Sequence, residues 1–439
     1  MPQLPPVTDP RRPTVTQAER ETGPRGASSA RSRAVYRRRR IVVFGSAGVV
    51  LALLLYVFGA MVAPLPATAA ALDSNATAGT ITQPAAQLAW PGYGSAAISA
   101  PDYEGATQYH GSDQSVPIAS ITKTITALVV LDKKPLTGGE QGPSISFTQE
   151  DVDIWNQVVG AGGSWAPVEA GTSMTEKEAL TAMLLPSANN YAISLVNWAF
   201  GSTSSYVKAA NAWLSEKGFS GTRITTPDGL DPGNVSTTKD LIGLGKLVLA
   251  SPALSSIVSQ KTATLPGAGA QDNTNVLLGV EGIDGIKTGN TDEAGNCLLF
   301  SAEVGVGTAK VRVLGVVLGA PTHDDLWAGV QSLLTSVKAG FHEVTVAAKG
   351  QKFGSYSTPW GASSDLVATK AATFVVWSDT PVSVKVETAQ VQAGFAGDEV
   401  GSVSFTLDGK TQTAPLALAK DVPDPGLGWR LAHPGGLGA

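Results

Sequence analysis

The longest apolar run in the chain is Ile41 to Ala63, 23 residues without a charge or a proline. As a helix it would span roughly 34 Å at ~1.5 Å per residue, enough for a hydrocarbon core of about 30 Å. Residues 1–40 show no apolar periodicity and are rich in Pro, Thr, Arg and Ser, as a disordered tail is. Residues 64–87 are rich in Ala, Thr and Pro and read as a tether. Beyond residue 88 the pattern becomes that of a folded body. Ala96–Ser99 reads as a strand, and Ser120–Asp132 as an apolar helix. Thr175 and Glu178 have capping-box spacing and open a helix carrying Leu180, Met183, Leu184 and Leu185, which Pro186 stops. Tyr191–Phe200 and Thr238–Leu249 are helical. Lys133–Gly171 is irregular, with Asp151–Trp155 as a short element. Lys287-Thr288-Gly289 has the look of a strand end. Cys297–Val304 and Val311–Leu318 follow as strands, the second ending in a fully apolar run as a central strand does. Leu326, Val330, Leu333, Leu334 and Val337 form a helical stripe suited to covering a sheet.

From about Val344 the helical stripes stop. Short β-prone runs take over at 372–377, 382–386, 399–407 and 411–418, the third ending in the turn Asp408-Gly409. The expected architecture is α+β, followed by a small all-β domain and preceded by a single membrane helix. In residue ranges it is a disordered basic cytoplasmic tail at 1–40, an anchor at 41–63 and an extracytoplasmic linker at 64–87. An α+β domain follows at 88–342 and a β domain at 343–434, with residues 435–439 disordered.

Charge supports this division. Residues 1–40 hold ten arginines against three carboxylates, and Arg37–Arg40 abut the apolar run. The remainder has 21 basic and 33 acidic residues, which excludes nucleic-acid binding by the body. The positive-inside rule puts the first 40 residues in the cytoplasm and the body outside the membrane. Ala67-Thr68-Ala69 resembles a signal-peptide cleavage site, but the apolar run is longer than a signal core and the preceding segment is long. The reading is therefore an uncleaved anchor. Cys297 is the only cysteine and reads as a buried, inert strand residue. The four histidines, His110, His323, His342 and His433, are scattered without metal-ligand spacing, so neither a metal nor an organic cofactor is expected. His110 reads as a surface or loop residue rather than a catalytic base.

The candidate chemistry begins at Ser120 and Lys123. Three apart on a helix, they share one face. A serine hydroxyl needs an adjacent base, and burial without a counter-charge lowers a lysine pKa. The spacing alone is weak, because Ser205–Lys208 and Ser236–Lys239 repeat it. Only the first pair is followed in order by Ser187-Ala188-Asn189 and then Lys287-Thr288-Gly289, each of which occurs once. Ser187 and Asn189 fall in a tight loop between two helices, a place that presents side chains into a cleft.

These three motifs resemble those of the low-molecular-mass penicillin-binding proteins that are serine-type D-alanyl-D-alanine carboxypeptidases. An aspartate is usual where Ala188 stands here. The resemblance extends to Leu185-Pro186, Asp228-Gly229-Leu230, Gly282–Gly289 and Ala294–Cys297, and covers roughly residues 90–342. It implies a β-lactamase/transpeptidase-like fold, an antiparallel sheet with helices on both sides. Carried onto this chain, it makes Ser120 the nucleophile, Lys123 the general base and Ser187 a proton relay. Asn189, Lys287, Thr288 and Gly289 would bind substrate, and the backbone N–H groups of Ser120 and Asn290 would form the oxyanion hole. Lys287 would also help keep Lys123 neutral through like-charge repulsion. The implied substrates are peptidoglycan stem peptides ending in D-Ala-D-Ala, with β-lactams as covalent inhibitors and the lipid bilayer as a partner through residues 41–63.

Three rivals remain. A β-lactamase would carry a deacylating glutamate, and between Asn190 and Ile286 the only glutamates are Glu216 and Glu281, neither in that context. An endopeptidase of the same fold has no distinguishing mark. A non-catalytic cell-wall-binding scaffold would use the β domain and leave the three motifs idle.

Overall fold

The computed structural model describes residues 28–74, 80–137 and 139–438. They form two compact units, one from residues 28–68, 358–362 and 423–438, the other from 69–74, 80–137, 139–357 and 363–422.

In the first unit, one helix runs from Ser28 to Val62. Residues 28–40, expected to be disordered, are therefore its first turns, while residues 1–27 of that expected tail lie outside the described residues. Arginine is a good helix former, so the apolar stretch propagates its helix backward through the basic segment. Along Ala34–Val62 the helix is long and apolar enough to cross a membrane. Its apolar side chains, Phe44 and Leu54 among them, are exposed.

Residues 435–438, expected to be disordered, are hydrogen-bonded, while Ala439 lies outside the described residues. Gly426–Ala432 is a short helix, and the Gly438 N–H donates to the Pro64 carbonyl at 2.9 Å. The Arg430 guanidinium donates to the carbonyls of Ala63 (2.6 Å) and Ala60 (3.3 Å), and Asp424 accepts from it at 2.6 Å. The last carbonyls of a helix have no intrahelical partner, and a cation beside them is favourable.

The second unit contains a five-stranded antiparallel sheet. Its order is Ile283–Thr291, Gly295–Val306, Ala309–Ala320, Ser95–Ser99, Gln108–His110. Alternation along the strands divides the side chains between two cores. Leu299, Leu314 and Val316 face a cluster built from the helices Thr122–Lys133, Glu176–Leu184, Asn189–Phe200 and Thr238–Ala250. Leu298, Phe300, Val313 and Val317 face the helix His323–Ala339, whose stripe Leu326, Val330, Leu333, Leu334 and Val337 is fully buried. Burial on that scale contributes about 1.5–3 kcal/mol per side chain. The expected arrangement of a sheet with helices on both sides is present.

Lys287-Thr288-Gly289 lies inside the strand Ile283–Thr291 rather than at its end. The short element expected at Asp151–Trp155 is part of a longer helix, Gln149 to Gly160, and Thr148 and Asp151 form its capping box. His110 ends an edge strand, exposed, with its ring stacked on Trp90 at 5.3 Å.

The β-rich region begins earlier and ends earlier than expected. Phe341–Ala347 pairs with Ala372–Trp377. A seven-stranded sheet contains Lys352–Ser357, Ser363–Ala368, Lys410–Leu418, Glu399–Leu407 and Val382–Thr388 in that order. Its two edges are closed by Ala71–Leu72 and Thr80–Ile81. The tether expected over 64–87 thus supplies edge strands to the C-terminal sheet, which satisfies backbone groups that an open edge would leave unpaired. Residues 75–79 of it lie outside the described residues.

Candidate active site

Ser120 lies in a single 3-10 turn, Ala119–Ile121, which runs directly into the helix Thr122–Lys133. Ala119 is held at φ 47°, a left-handed conformation that costs energy for a residue with a Cβ. Two backbones press against this turn and keep it there. A Cβ at Gly289 would sit 2.8 Å from the Ile118 carbonyl oxygen and 3.2 Å from the Ile121 nitrogen. A Cβ at Gly229, itself at φ 88°, would sit 2.1 Å from the Ala119 carbonyl oxygen. Only glycine permits both approaches.

Lys123 follows one helical turn after Ser120 and is fully buried. Its Nζ donates to Ser120 Oγ at 2.8 Å, to Asn189 Oδ1 at 2.6 Å and to the Asp228 backbone carbonyl at 2.6 Å. Burial pushes its pKa down to about 8, against an opposing pull from the Asp228 carboxylate. The other two Ser-x-x-Lys serines are engaged elsewhere: Ser205 accepts from Ser202, and Ser236 shares a hydrogen bond with Thr222.

Glu176–Leu184 and Asn189–Phe200 present the second motif between them. The Thr175–Glu178 capping box is present as expected. Ser187 sits at φ 67° in this connection, and Asn189 begins the second helix. The segment from Ser164 to Pro167 is latched to that helix. Ser164 O accepts from the Asn189 N–H at 2.8 Å, and the Asn190 side chain bonds both backbone groups of Ala166.

The third motif runs along the edge strand. Lys287 is 1% exposed, and its Nζ donates to the Thr288 carbonyl at 3.1 Å and to Thr288 Oγ1 at 3.4 Å. Burial, then the neighbouring Lys123, puts its pKa well below the usual lysine range. No carboxylate is among the influences on it, and the two buried amines repel each other.

These groups meet in one cleft of about 300 Å³, lined by Ser120, Ser187, Asn189, Thr288, Gly289 and Asn290. Gly162, Gly163, Ser164, Leu230, Thr274, Cys297, His323 and Leu326 complete the wall. Lys123 and Lys287 stand behind it. Thr274 and Thr288 share a 2.5 Å hydroxyl contact. Asn290 donates to Asn296 Oδ1, and Asn296 donates to the Ala320 carbonyl, tying the motif strand to the end of the central strand. Cys297 is buried and its thiol is pushed up to about 11.

Sequence reasoning missed the Asp228 carbonyl, Thr274, Ser164 and His323 as parts of this site. The turn Asp228-Gly229 was visible, but its use of a main-chain oxygen was not. His323 carried no signal beyond being a histidine.

Residues 107–322 match the family described as D-alanyl-D-alanine carboxypeptidase, Peptidase_S11. Among curated proteins, D-alanyl-D-alanine carboxypeptidase DacA of Escherichia coli is 27% identical over 325 residues, covering 70% of this chain and 77% of DacA. The D-alanyl-D-alanine endopeptidase of Escherichia coli is 30% identical over 241 residues, covering 51% of this chain and 70% of that protein. Penicillin binding protein 5 of Haemophilus influenzae has a similar fold, with a TM-score of 0.51 at 24% identity, over 78% of this chain and 100% of that one. With the three motifs gathered in one cleft and these matches spanning it, the chain belongs to the D-alanyl-D-alanine carboxypeptidase family of S11 peptidases.

Proposed function

We propose that this protein is a membrane-anchored serine carboxypeptidase that removes the terminal D-alanine from peptidoglycan stem peptides. The observation that carries the reading is the 2.8 Å hydrogen bond between Lys123 Nζ and Ser120 Oγ, at a buried amine whose pKa is about 8. With that pKa, roughly one Lys123 in ten is neutral at pH 7. Loss of the proton reverses the hydrogen bond, so that the Ser120 hydroxyl donates to the amine.

The steps follow from the neighbours. Ser120 Oγ attacks the carbonyl of the D-Ala–D-Ala bond as Lys123 takes its proton. The backbone N–H groups of Ser120 and Asn290 receive the developing oxyanion. Ser187 passes the proton from Lys123 to the leaving nitrogen, the C–N bond breaks, and D-alanine departs. Water then attacks the Ser120 ester, again giving a proton to Lys123, and releases the shortened peptide. Asn189 has one amide oxygen on Lys123 and an Nδ2 without a partner, which suits it to hold a substrate amide carbonyl. Thr288 is at the cleft surface to donate to the substrate carboxylate, with Lys287 orienting it from behind. β-Lactams would acylate Ser120 by the same attack.

The carboxypeptidase reading is preferred over the endopeptidase one because the carboxypeptidase relative matches more of this chain, 70% against 51%. A β-lactamase is disfavoured because no carboxylate lines the cleft among the described residues. The apolar part of the helix Ser28–Val62 would anchor the chain once in the bacterial membrane, with Arg37–Arg40 on the cytoplasmic side and the cleft outside.

The test is twofold. A fluorescent penicillin should label the wild type and not Ser120→Ala. Mass spectrometry of a pentapeptide ending in D-Ala-D-Ala should then show loss of one D-alanine. Rapid turnover of the penicillin, or cleavage of cross-linked dimers without D-alanine release, would replace this reading with one of its rivals.

A further inference from the structure

The turn at residues 225–231 lies along the nucleophile segment, and the two meet residue by residue. Gly229 packs against the Ala119 carbonyl oxygen, which a Cβ there would approach to 2.1 Å. The Asp228 carbonyl accepts from Lys123 Nζ at 2.6 Å. The Pro227 carbonyl accepts from Thr126 Oγ1, also at 2.6 Å. Lys123 and Thr126 are three apart in the helix Thr122–Lys133 and so share one face. Two successive carbonyls of the turn are thus held by two polar positions on that face. Thr126 is fully buried, and none of the steps above uses it.

The direction of each bond in this cluster follows from its donors. A carbonyl can only accept, so the one Thr126 hydroxyl proton goes to Pro227, with the Thr122 carbonyl more distant at 3.4 Å. The 2.8 Å contact between Thr126 Oγ1 and the Tyr206 hydroxyl is then one in which the phenol donates. Tyr206, in the helix Thr203–Glu216, is fully buried, and burial pushes its pKa up, so the phenol keeps that proton. Pro227 has no N–H, which leaves its carbonyl as the one backbone group through which it can be held. Upstream, Asn234 Oδ1 accepts from the N–H groups of Thr225 (3.0 Å) and Thr226 (3.2 Å).

Resting on the reading of Ser120 and Lys123 as nucleophile and base, we propose that Thr126 is a positioning residue that aims the Asp228 carbonyl at the Lys123 amine through its hydrogen bond to Pro227. The Asp228 carbonyl follows the peptide that Thr126 holds and precedes the glycine packed on Ala119, so both of its flanks are fixed on the nucleophile segment. Without the Thr126 hydroxyl one flank is free. Lys123 then loses the acceptor that keeps its amine between Ser120 and Asn189. Among the described residues, the titratable groups that act on Lys123 or on this cluster are the Asp228 carboxylate, Lys287 and Tyr206. A substitution at Thr126 leaves all three in place.

The experiment follows penicillin acylation of the full chain against pH, with thermal melts alongside. Thr126→Val replaces the hydroxyl by a methyl of similar shape. A loosened Asp228 carbonyl favours neutral Lys123, so the acid limb should move down by about one pH unit, the effect of one hydrogen bond to a charged group. The plateau should fall about tenfold, because the base is less well held. Thr126→Ser keeps the hydroxyl and should restore both. Tyr206→Phe takes a hydroxyl from the same buried cluster but leaves Thr126 donating to Pro227, so it should lower the melting temperature and leave the limb in place. The double variant Thr126→Val with Tyr206→Phe strands no phenol in the core, and its limb should stay displaced while its melt recovers relative to Thr126→Val. A limb unmoved in Thr126→Val, or one moved as far by Tyr206→Phe, would overturn the assignment and leave the Ser120–Lys123 reading standing. A wild type that penicillin does not label removes both.

Discussion

Two buried lysines stand behind the cleft that holds the reacting serine, and their surroundings differ. Lys123 has three oxygen acceptors from three separate segments and feels a carboxylate. Lys287 has two acceptors, both on the next residue, and no carboxylate among its influences. Desolvation penalises both charged forms, but only Lys123 is partly compensated. The result is an amine poised near pH 8 beside one that is neutral well below its usual range. What distinguishes a base from a positioning group here is the set of acceptors around it, since the two are equally buried.

Removing the poised amine tests the comparison most severely. Lys123→Met keeps the bulk and deletes the base, and acylation by penicillin should fall about 10³-fold, as for other lost general bases. Its thermal melt should stay near the wild type at pH 7. The sign of the linkage provides a second check. The folded pKa of Lys123 lies below its unfolded value, so the unfolded chain binds more protons between about pH 8 and the usual lysine range. Wild-type stability should therefore rise with pH across that window, and the slope should be smaller in Lys123→Met, where only Lys287 still contributes to it. A slope of the same size in both would refute the buried-lysine account.

The next largest effect should come from separating the two regions. Gly289→Val puts a Cβ 2.8 Å from the Ile118 carbonyl, which forces the motif strand away from the Ser120 turn. Misplacing reacting groups by such an amount costs about 10²-fold in kcat/KM. The far-ultraviolet circular dichroism should be unchanged. Activity within a factor of three of wild type would show that the close approach is not needed.

Asp228→Asn should act more gently and in the opposite direction. The Asp228 charge holds the Lys123 pKa up, so deleting it lowers that pKa and moves the acid limb of the acylation profile below pH 8. Acylation at pH 7 should rise severalfold with the plateau unchanged. The isosteric amide keeps an oxygen to accept from Thr226 and Leu230. A limb that moves upward would sink the assignment.

The division between what the sequence made legible and what it hid has the same physical basis. The Ser120 helix, the Thr175–Glu178 cap, the apolar central strand and the stripe on His323–Ala339 are set by neighbours within a few residues, so periodicity finds them. The edge strands Ala71–Leu72 and Thr80–Ile81 are two residues each, and their partners lie some hundreds of residues away. No local pattern announces them. Of the helix Gln149–Gly160 only the short element Asp151–Trp155 was legible, because Val158 is its one buried side chain. In the site, the ordered motifs named the side chains, but the third acceptor on Lys123 is the main-chain oxygen of Asp228, which no residue type encodes. The lysines show the same limit: the sequence places two amines at one site, whereas their unequal acceptors appear only in three dimensions.

The smallest expected shift is also the one that decides whether Lys287 keeps Lys123 neutral by repulsion. If Lys287 is already neutral near pH 7, Lys287→Met removes no charge from the cleft. The acid limb of acylation should then stay near pH 8, moving by less than about half a unit. What the variant loses is the donor that orients Thr288, so KM for a carboxylate-terminated peptide should rise while saturating acylation by penicillin changes little. If instead Lys287 is charged and holds Lys123 neutral by repulsion, its loss lets the Lys123 pKa climb, and the limb moves upward by a unit or more. A pH series of penicillin acylation rates for wild type and Lys287→Met separates the outcomes, because one leaves the curve in place and the other displaces it.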